Sequence, residues 1–220
     1  MILQIASVLD ANELAAIRDA LADDTLWADG RDTAKGRALA AKNNQQARAD
    51  ATAVKGIVAK IRTAMLAHPT IEAAARPSAF ARVMLNRYGP GMGYGPHVDA
   101  PYIEGLRTDI SFTLFLAAPA DYDGGELVID TAGAEDAIKL PAGALVLYPA
   151  NSVHRVAEIT RGTRLAAVGW IKSRVRRAEH RAILFDLETA IADLAALDAP
   201  SALRDRLANL RNNLLRAFGE

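Results

Sequence analysis

Between Phe80 and Ile171 the sequence breaks into short apolar or alternating runs rich in β-formers: Phe80 to Tyr88, Thr108 to Leu116, Glu126 to Ile129, Ala144 to Tyr148 and Leu165 to Ile171. Turn-formers separate them, as in Gly89-Pro90-Gly91, Asp123-Gly124-Gly125 and Pro141-Ala142-Gly143. Several short strands punctuated in this way predict a β-sandwich or jelly roll. Both flanks carry helical periodicity instead. Asp10 and Glu13 have capping-box spacing ahead of Leu14, Ile17 and Leu21, which predicts a helix over 11–22. Val54, Ile57, Val58, Ile61, Met65 and Leu66 mark a second helix that stops near His68-Pro69. After Ser173, Ile183, Leu184, Leu187, Ile191 and Leu194 line one helical face. Leu203, Leu207, Leu210 and Leu214 line another, with Asp198-Ala199-Pro200-Ser201 as the turn between them.

The fold class expected is α+β: a double-stranded β-helix (jelly roll) with packed N-terminal helices and a small C-terminal helical domain. Residues 1–77 form the N-terminal support, 78–173 the core and 174–220 a helical hairpin, which is also the candidate surface for a homodimer. The polar stretch 30–46 reads as an irregular loop, either a lid over a site mouth or a solvated connector.

Composition narrows the chemistry. The chain has 220 residues, 51% of them hydrophobic, enough for one full domain and an appendage. Its 26 basic and 26 acidic residues cancel, and no basic stripe interleaved with aromatics appears. Nucleic acid is therefore not expected as a main partner, since that binding rests on neutralising phosphates. With no cysteine, thiolate catalysis, disulfides and cysteine-ligated metal centres are excluded. No apolar stretch is long enough for a membrane span and no secretory pattern opens the chain, so a cytoplasmic location is expected.

Within the strand-rich region, His97-Val98-Asp99 follows a glycine-rich segment, and His154 starts a later strand. Residues two apart in a strand share a face. Two imidazoles and one carboxylate on one side of an iron ion leave three positions open, as non-haem Fe(II) oxygenases require. Arg164 follows the turn Arg161-Gly162-Thr163 and is expected in the strand next to His154, about 5 Å away. There a guanidinium would hold the far carboxylate of 2-oxoglutarate by a charge-assisted contact. His68, at a helix end before proline, and His180, in a basic helix start, read as structural or solvated. The run Arg174 to Arg177 reads as a solvated face or an interdomain pairing.

The motifs Tyr88…Gly91…Tyr94…His97-Val98-Asp99, Tyr122-Asp123-Gly124-Gly125-Glu126-Leu127, Pro141 to Pro149 and His154-Arg155-Val156…Arg161-Gly162-Thr163-Arg164 together resemble the prolyl 4-hydroxylase-like 2-oxoglutarate oxygenases. With Lys42-Asn43-Asn44-Gln45-Gln46 and Gly169-Trp170-Ile171-Lys172-Ser173, the chain is more closely similar to the bacterial PKHD-type hydroxylases associated with iron uptake. The resemblance implies iron on His97, Asp99 and His154, the C5 carboxylate of 2-oxoglutarate on Arg164, and Tyr88 as a hydrogen-bond partner of the co-substrate. It also implies O2 as oxidant, L-ascorbate as reductant, and hydroxylation coupled to decarboxylation of 2-oxoglutarate to succinate and CO2. Related prolyl hydroxylases carry a tyrosine on the strand after HxD. Here Ser111 to Leu116 has none, so Thr113 is the candidate replacement and a prolyl-peptide substrate is disfavoured. Tyr94 and Tyr102 are the candidate substrate contacts, for a small-molecule or peptidyl substrate. Two other readings use the same pocket: a non-catalytic iron or 2-oxoglutarate sensor, and a cupin-like protein holding another metal.

Overall fold

The computed structural model describes residues 1–33, 41–131, 133–197 and 200–220. Two antiparallel sheets face each other. The larger has seven strands in the order β1 (Leu3–Ile5), β13 (Leu145–Pro149), β9 (Ile110–Phe115), β16 (Arg164–Ser173), β5 (Pro77–Tyr88), β4 (Gln45–Ala47) and β2 (Trp27–Asp29). The smaller has five: β12 (Ala134–Ile138), β11 (Leu127–Thr131), β14 (His154–Val156), β6 (Gly93–His97) and β3 (Lys42–Asn43). Two short ribbons complete the strands, β7 (Tyr102–Ile103) with β8 (Leu106–Arg107), and β10 (Tyr122–Gly124) with β15 (Ile159–Gly162). This is the expected jelly-roll arrangement.

The outer face of the large sheet is sealed by helices. Helix α1 (Ala11–Ala20) starts at the expected capping box, in which Asp10 accepts from the Glu13 amide and Glu13 accepts from the Asp10 amide. Helix α2 (Thr52–Ala67) buries Val54, Ile57, Ile61 and Met65 at three- and four-residue spacing. These side chains, with Ile17 and Leu21, pack on Leu85, Phe112, Leu114, Leu145, Leu147 and Ile171. Each such burial contributes about 1.5–3 kcal/mol. Alternation then turns Ser111, Thr113 and Phe115 inward, so the buried strand β9 presents polar side chains to the space between the sheets.

Three expectations change. The second helix does end at His68, but Pro69 opens a further helix, α3 (Pro69–Ala75), where proline suits the first position because no hydrogen bond is asked of its nitrogen. Arg76, at φ +45°, closes α3 and pairs with Glu188 at 3.1 Å. The polar stretch 30–46 is not simply a loop. Gly30–Thr33 is a 3-10 turn, β3 edges the small sheet and β4 joins the large one. Residues 34–40 of that stretch lie outside the described residues.

Arg164 also sits elsewhere than expected. Strand β15 pairs with β10, and after Gly162 the chain enters the large sheet, so β16 faces β14 across the sandwich instead of lying beside it. Arg161 and Gly162, read as part of a hairpin turn, are instead the last residues of β15, because spacing along the chain does not reveal a change of sheet.

Helices α4 (Ala178–Ala196) and α5 (Ser201–Phe218) form the C-terminal pair, with residues 198 and 199 of the expected turn outside the described residues. His180 stacks on Phe218 at 3.8 Å, tying the start of one helix to the end of the other. Arg174 pairs with Glu72 of α3. Ile183, Leu203 and Leu210 remain exposed.

Candidate active site

A cavity of about 360 Å³ opens between the sheets. Antiparallel pairing of β6 with β14 puts His97 directly opposite His154, with ring centroids 4.2 Å apart. Asp99 lies just past the end of β6, so strand alternation alone does not aim it; Ser111 on the facing sheet donates to its Oδ2 at 2.5 Å. The Nε2 atoms of His97 and His154 are 4.0 and 3.8 Å from the Asp99 carboxylate oxygens. All three donor atoms fall within 4.8 Å of one another, a span that a single ion can bridge.

Both imidazoles turn Nε2 toward the shared space. Nδ1 of His97 lies 2.9 Å from the Gly95 carbonyl, and Nδ1 of His154 lies 3.1 Å from that of Ser152. A carbonyl can only accept, so the proton belongs on Nδ1 and the Nε2 lone pair faces the shared space. Burial, assisted by the neighbouring His154, pushes the His97 pKa down to about 4, which keeps that lone pair free of a proton. The donor set is two neutral nitrogens and one carboxylate on one face, and it fits Fe(II) with open positions.

Arg164 closes the deep end at 1% exposure. Its Nε donates to the Gly125 carbonyl at 2.9 Å, and its guanidinium lies between the rings of Tyr88 and Phe115 at 5.3 and 5.4 Å. Nη1, Nη2 and the nearby Tyr122 hydroxyl are all buried without a hydrogen-bond partner among the described residues. A buried cation left with two free donors beside a free phenol is costly unless a ligand completes it. A carboxylate would satisfy all three.

Gly125 explains the Asp123-Gly124-Gly125 turn. At φ +70° a Cβ there would meet Ile159 at 2.3 Å and the Arg164 stem at 3.0 Å, so only glycine lets the backbone support the guanidinium.

The remaining expectations divide. Tyr88 is buried against Arg164, and its hydroxyl lies by Asn44. Thr113 is in the cavity wall. Tyr94 lines the cavity and stacks on His97 at 3.7 Å; burial, then the Asp99 charge, raises its pKa to about 12. Tyr102, expected at the substrate, is 62% exposed and outside the lining. Alternation in the short ribbon turns Ile103 inward instead.

Sequence reading missed Tyr148. It faces Ser111 across β13 and β9, sets its ring edge on His154 at 5.1 Å, and receives a hydrogen bond from Thr113. A phenol absent from β9 is thus supplied by the adjoining strand. Burial raises its pKa well above the ordinary range, so it remains a donor. Lys42, Gln46, Met84 and Trp170 were missed as well, although each lines the cavity.

Residues 83–172 match the model of the 2OG-Fe(II) oxygenase superfamily. A PKHD-type hydroxylase from Acaryochloris marina is 42% identical over 220 residues, covering all of both chains. The chain belongs to the PKHD-type hydroxylases. Another member of this family, from Parvibaculum lavamentivorans, is 43% identical, again over the full length of both. Among solved structures, a Pseudomonas putida prolyl-4-hydroxylase superposes with a TM-score of 0.56 at 24% identity, covering 79% of this chain and 92% of that one. A Trichoplax adhaerens prolyl hydroxylase, solved with a hypoxia-inducible-factor peptide fragment, gives 0.58 at 15% identity over 77% and 83%. These likenesses support the jelly-roll fold, and family membership makes the chain an iron- and 2-oxoglutarate-dependent hydroxylase.

Proposed function

We propose that His97, Asp99 and His154 hold the iron, that Arg164 and Tyr122 hold the C5 carboxylate of 2-oxoglutarate, and that Thr113 and Tyr148 offer hydroxyls along its length. The core spans residues 78–173, and a small-molecule or peptidyl substrate meets it in the cytoplasm. The observation that carries this reading is the pair of Arg164 Nη atoms, without a hydrogen-bond partner among the described residues and buried in the same cavity wall as the triad. Bound iron supplies oxygen activation coupled to decarboxylation of 2-oxoglutarate. The protein's own part is positional. The Gly95 and Ser152 carbonyls fix the imidazole tautomers, Ser111 fixes the carboxylate, and the apolar walls around Leu127 and Val168 keep water from the reacting centre.

Anaerobic titration of the Fe(II)-loaded protein with 2-oxoglutarate tests the reading. A visible metal-to-ligand charge-transfer band is expected, and 2-oxoglutarate is converted to succinate when air is admitted. Iron binding without the band would favour another role for the triad. A band without turnover, substrate included, would favour a sensor.

The exposed Ile183, Leu203 and Leu210 on the C-terminal helices favour a second copy of the chain as partner. Light scattering is expected to return a dimeric mass, and a monomeric one at high protein concentration would remove that proposal.

A further inference from the structure

The β7–β8 ribbon stands apart from both sheets. Tyr102 pairs with Arg107 and Ile103 with Leu106, and among the described residues neither strand pairs with any other. Strand β8 leans on β5 and β16, and the ribbon turns Ile103 into the cavity while Tyr102 faces solvent.

Its two ends are held differently. At the base, Thr108 donates its amide to the Pro101 carbonyl at 3.1 Å and its hydroxyl to that of Ala100 at 2.6 Å. Arg107 grips Asp109 through Nε at 2.7 Å and Nη2 at 3.1 Å, and its Nη1 reaches Glu220 at 2.9 Å. Asp109 in turn accepts from the Ser173 amide. The Arg107 and Asp109 side chains are only 17% and 7% exposed, so this anchor is shielded from water and salt. At the tip, the one side-chain tie among the described residues is Glu104, which accepts from Nε and Nη2 of Arg82 on β5 at 2.9 and 2.7 Å. That pair is 39% and 53% exposed, where an ion pair is weak and readily screened. A firm base and a weakly held tip make a flap that can swing as a unit.

The turn points the same way. Glu104 and Gly105 have φ of +53° and +77°, a type I′ geometry that favours Asn-Gly or Asp-Gly and disfavours glutamate. Asparagine or aspartate would suit the backbone better. Glutamate adds the methylene with which its carboxylate reaches Arg82, and the strain is borne for that contact.

We propose that the β7–β8 ribbon is the gate of the cavity's substrate end, and that Glu104 and Arg82 are positioning residues that latch it shut. Closed, it sets Ile103 into the wall that the substrate meets. Open, it swings about Ala100, Pro101 and Thr108 and widens the entrance. The use of the cavity rests on the iron and 2-oxoglutarate reading above, whereas the motion is independent of it.

Because the chain has no cysteine, Ile103→Cys places a single thiol on the inner side of the ribbon. Its rate of alkylation by the uncharged reagent N-ethylmaleimide reads the open fraction in the full chain. Adding Glu104→Gln is expected to speed alkylation about two- to fivefold, the range for loss of an exposed ion pair. Exchanging the charges, Arg82→Glu with Glu104→Arg, should return the rate toward that of Ile103→Cys alone. Sodium chloride at about 0.5 M should speed the latched protein and leave the Glu104→Gln form unchanged. Equal rates with and without Glu104→Gln would overturn the proposal. So would a salt response that persists in Glu104→Gln, or a folded charge-exchanged variant as fast as Glu104→Gln. Should the exchanged variant fail to fold, the salt comparison decides alone. Absence of 2-oxoglutarate binding by the unaltered protein would instead remove the functional reading and leave the alkylation rates to judge the ribbon.

Discussion

Arg164→Ala is expected to weaken 2-oxoglutarate binding by about a hundred- to a few thousand-fold while leaving iron binding close to normal. Removing one partner of a buried charged pair costs about 3–5 kcal/mol, and each 1.4 kcal/mol is a factor of ten. The upper part of that range is the reasonable expectation because Arg164 is 1% exposed and water cannot replace it at the deep end. The guanidinium also fills space between Tyr88 and Phe115 and satisfies the Gly125 carbonyl, so some global stability is lost with it. Arg164→Lys separates the two effects. It keeps a charge and most of the packing but loses the planar fork, and it should fall between wild type and alanine in co-substrate affinity. The measurement is the charge-transfer band followed against 2-oxoglutarate concentration, with iron content determined on the same samples. An unchanged midpoint in Arg164→Ala would move the anchor to another residue.

The sequence made the chemistry of this site more legible than its geometry. His97, Asp99, His154 and Arg164 stand out because each is a residue type with few other uses beside glycine turns and β-runs. Their relative placement does not stand out, because a jelly roll passes the chain repeatedly between two sheets. Arg164 consequently faces the histidines across the sandwich, although a local reading places it on their neighbouring strand. The same limit hid Tyr148, whose place in the cavity wall depends on the register of β13 against β9, and Trp170, whose place there depends on that of β16 against β5. Strands β3, β4, β7 and β8 have two or three residues each, too short for periodicity to register. The helices were legible because Ile17, Leu21, Val54, Ile57, Ile61 and Met65 repeat over whole turns. A polar pair in an otherwise apolar strand, Ser111 and Thr113, was the overlooked local signal. Buried polar residues need partners, and here those partners are Asp99 and Tyr148.

Asp99→Ala is expected to lose iron and 2-oxoglutarate turnover together, with the protein still folded. Asp99 is the one anionic member of the triad, and the burial that keeps His97 neutral also removes water that would otherwise help hold a dication. Ser111→Ala gives the scale for comparison. It removes only the donor that orients the carboxylate, and loss of such an outer partner typically costs about 10–100-fold in metal affinity. Losing the ligand itself should exceed that range. Folding is expected to survive because Asp99 lies past the end of β6 and takes no part in the large helix-covered core. Removing it also relieves the wall of a buried charge when no metal is bound. Metal content by mass spectrometry after anaerobic loading, compared with thermal unfolding of the apo-protein, separates the two effects. Iron occupancy near that of wild type in Asp99→Ala would defeat the assignment of the triad, whatever happened to activity. Loss of iron with an unchanged or higher apo-protein Tm would mean that the carboxylate is kept for the metal at the expense of the fold.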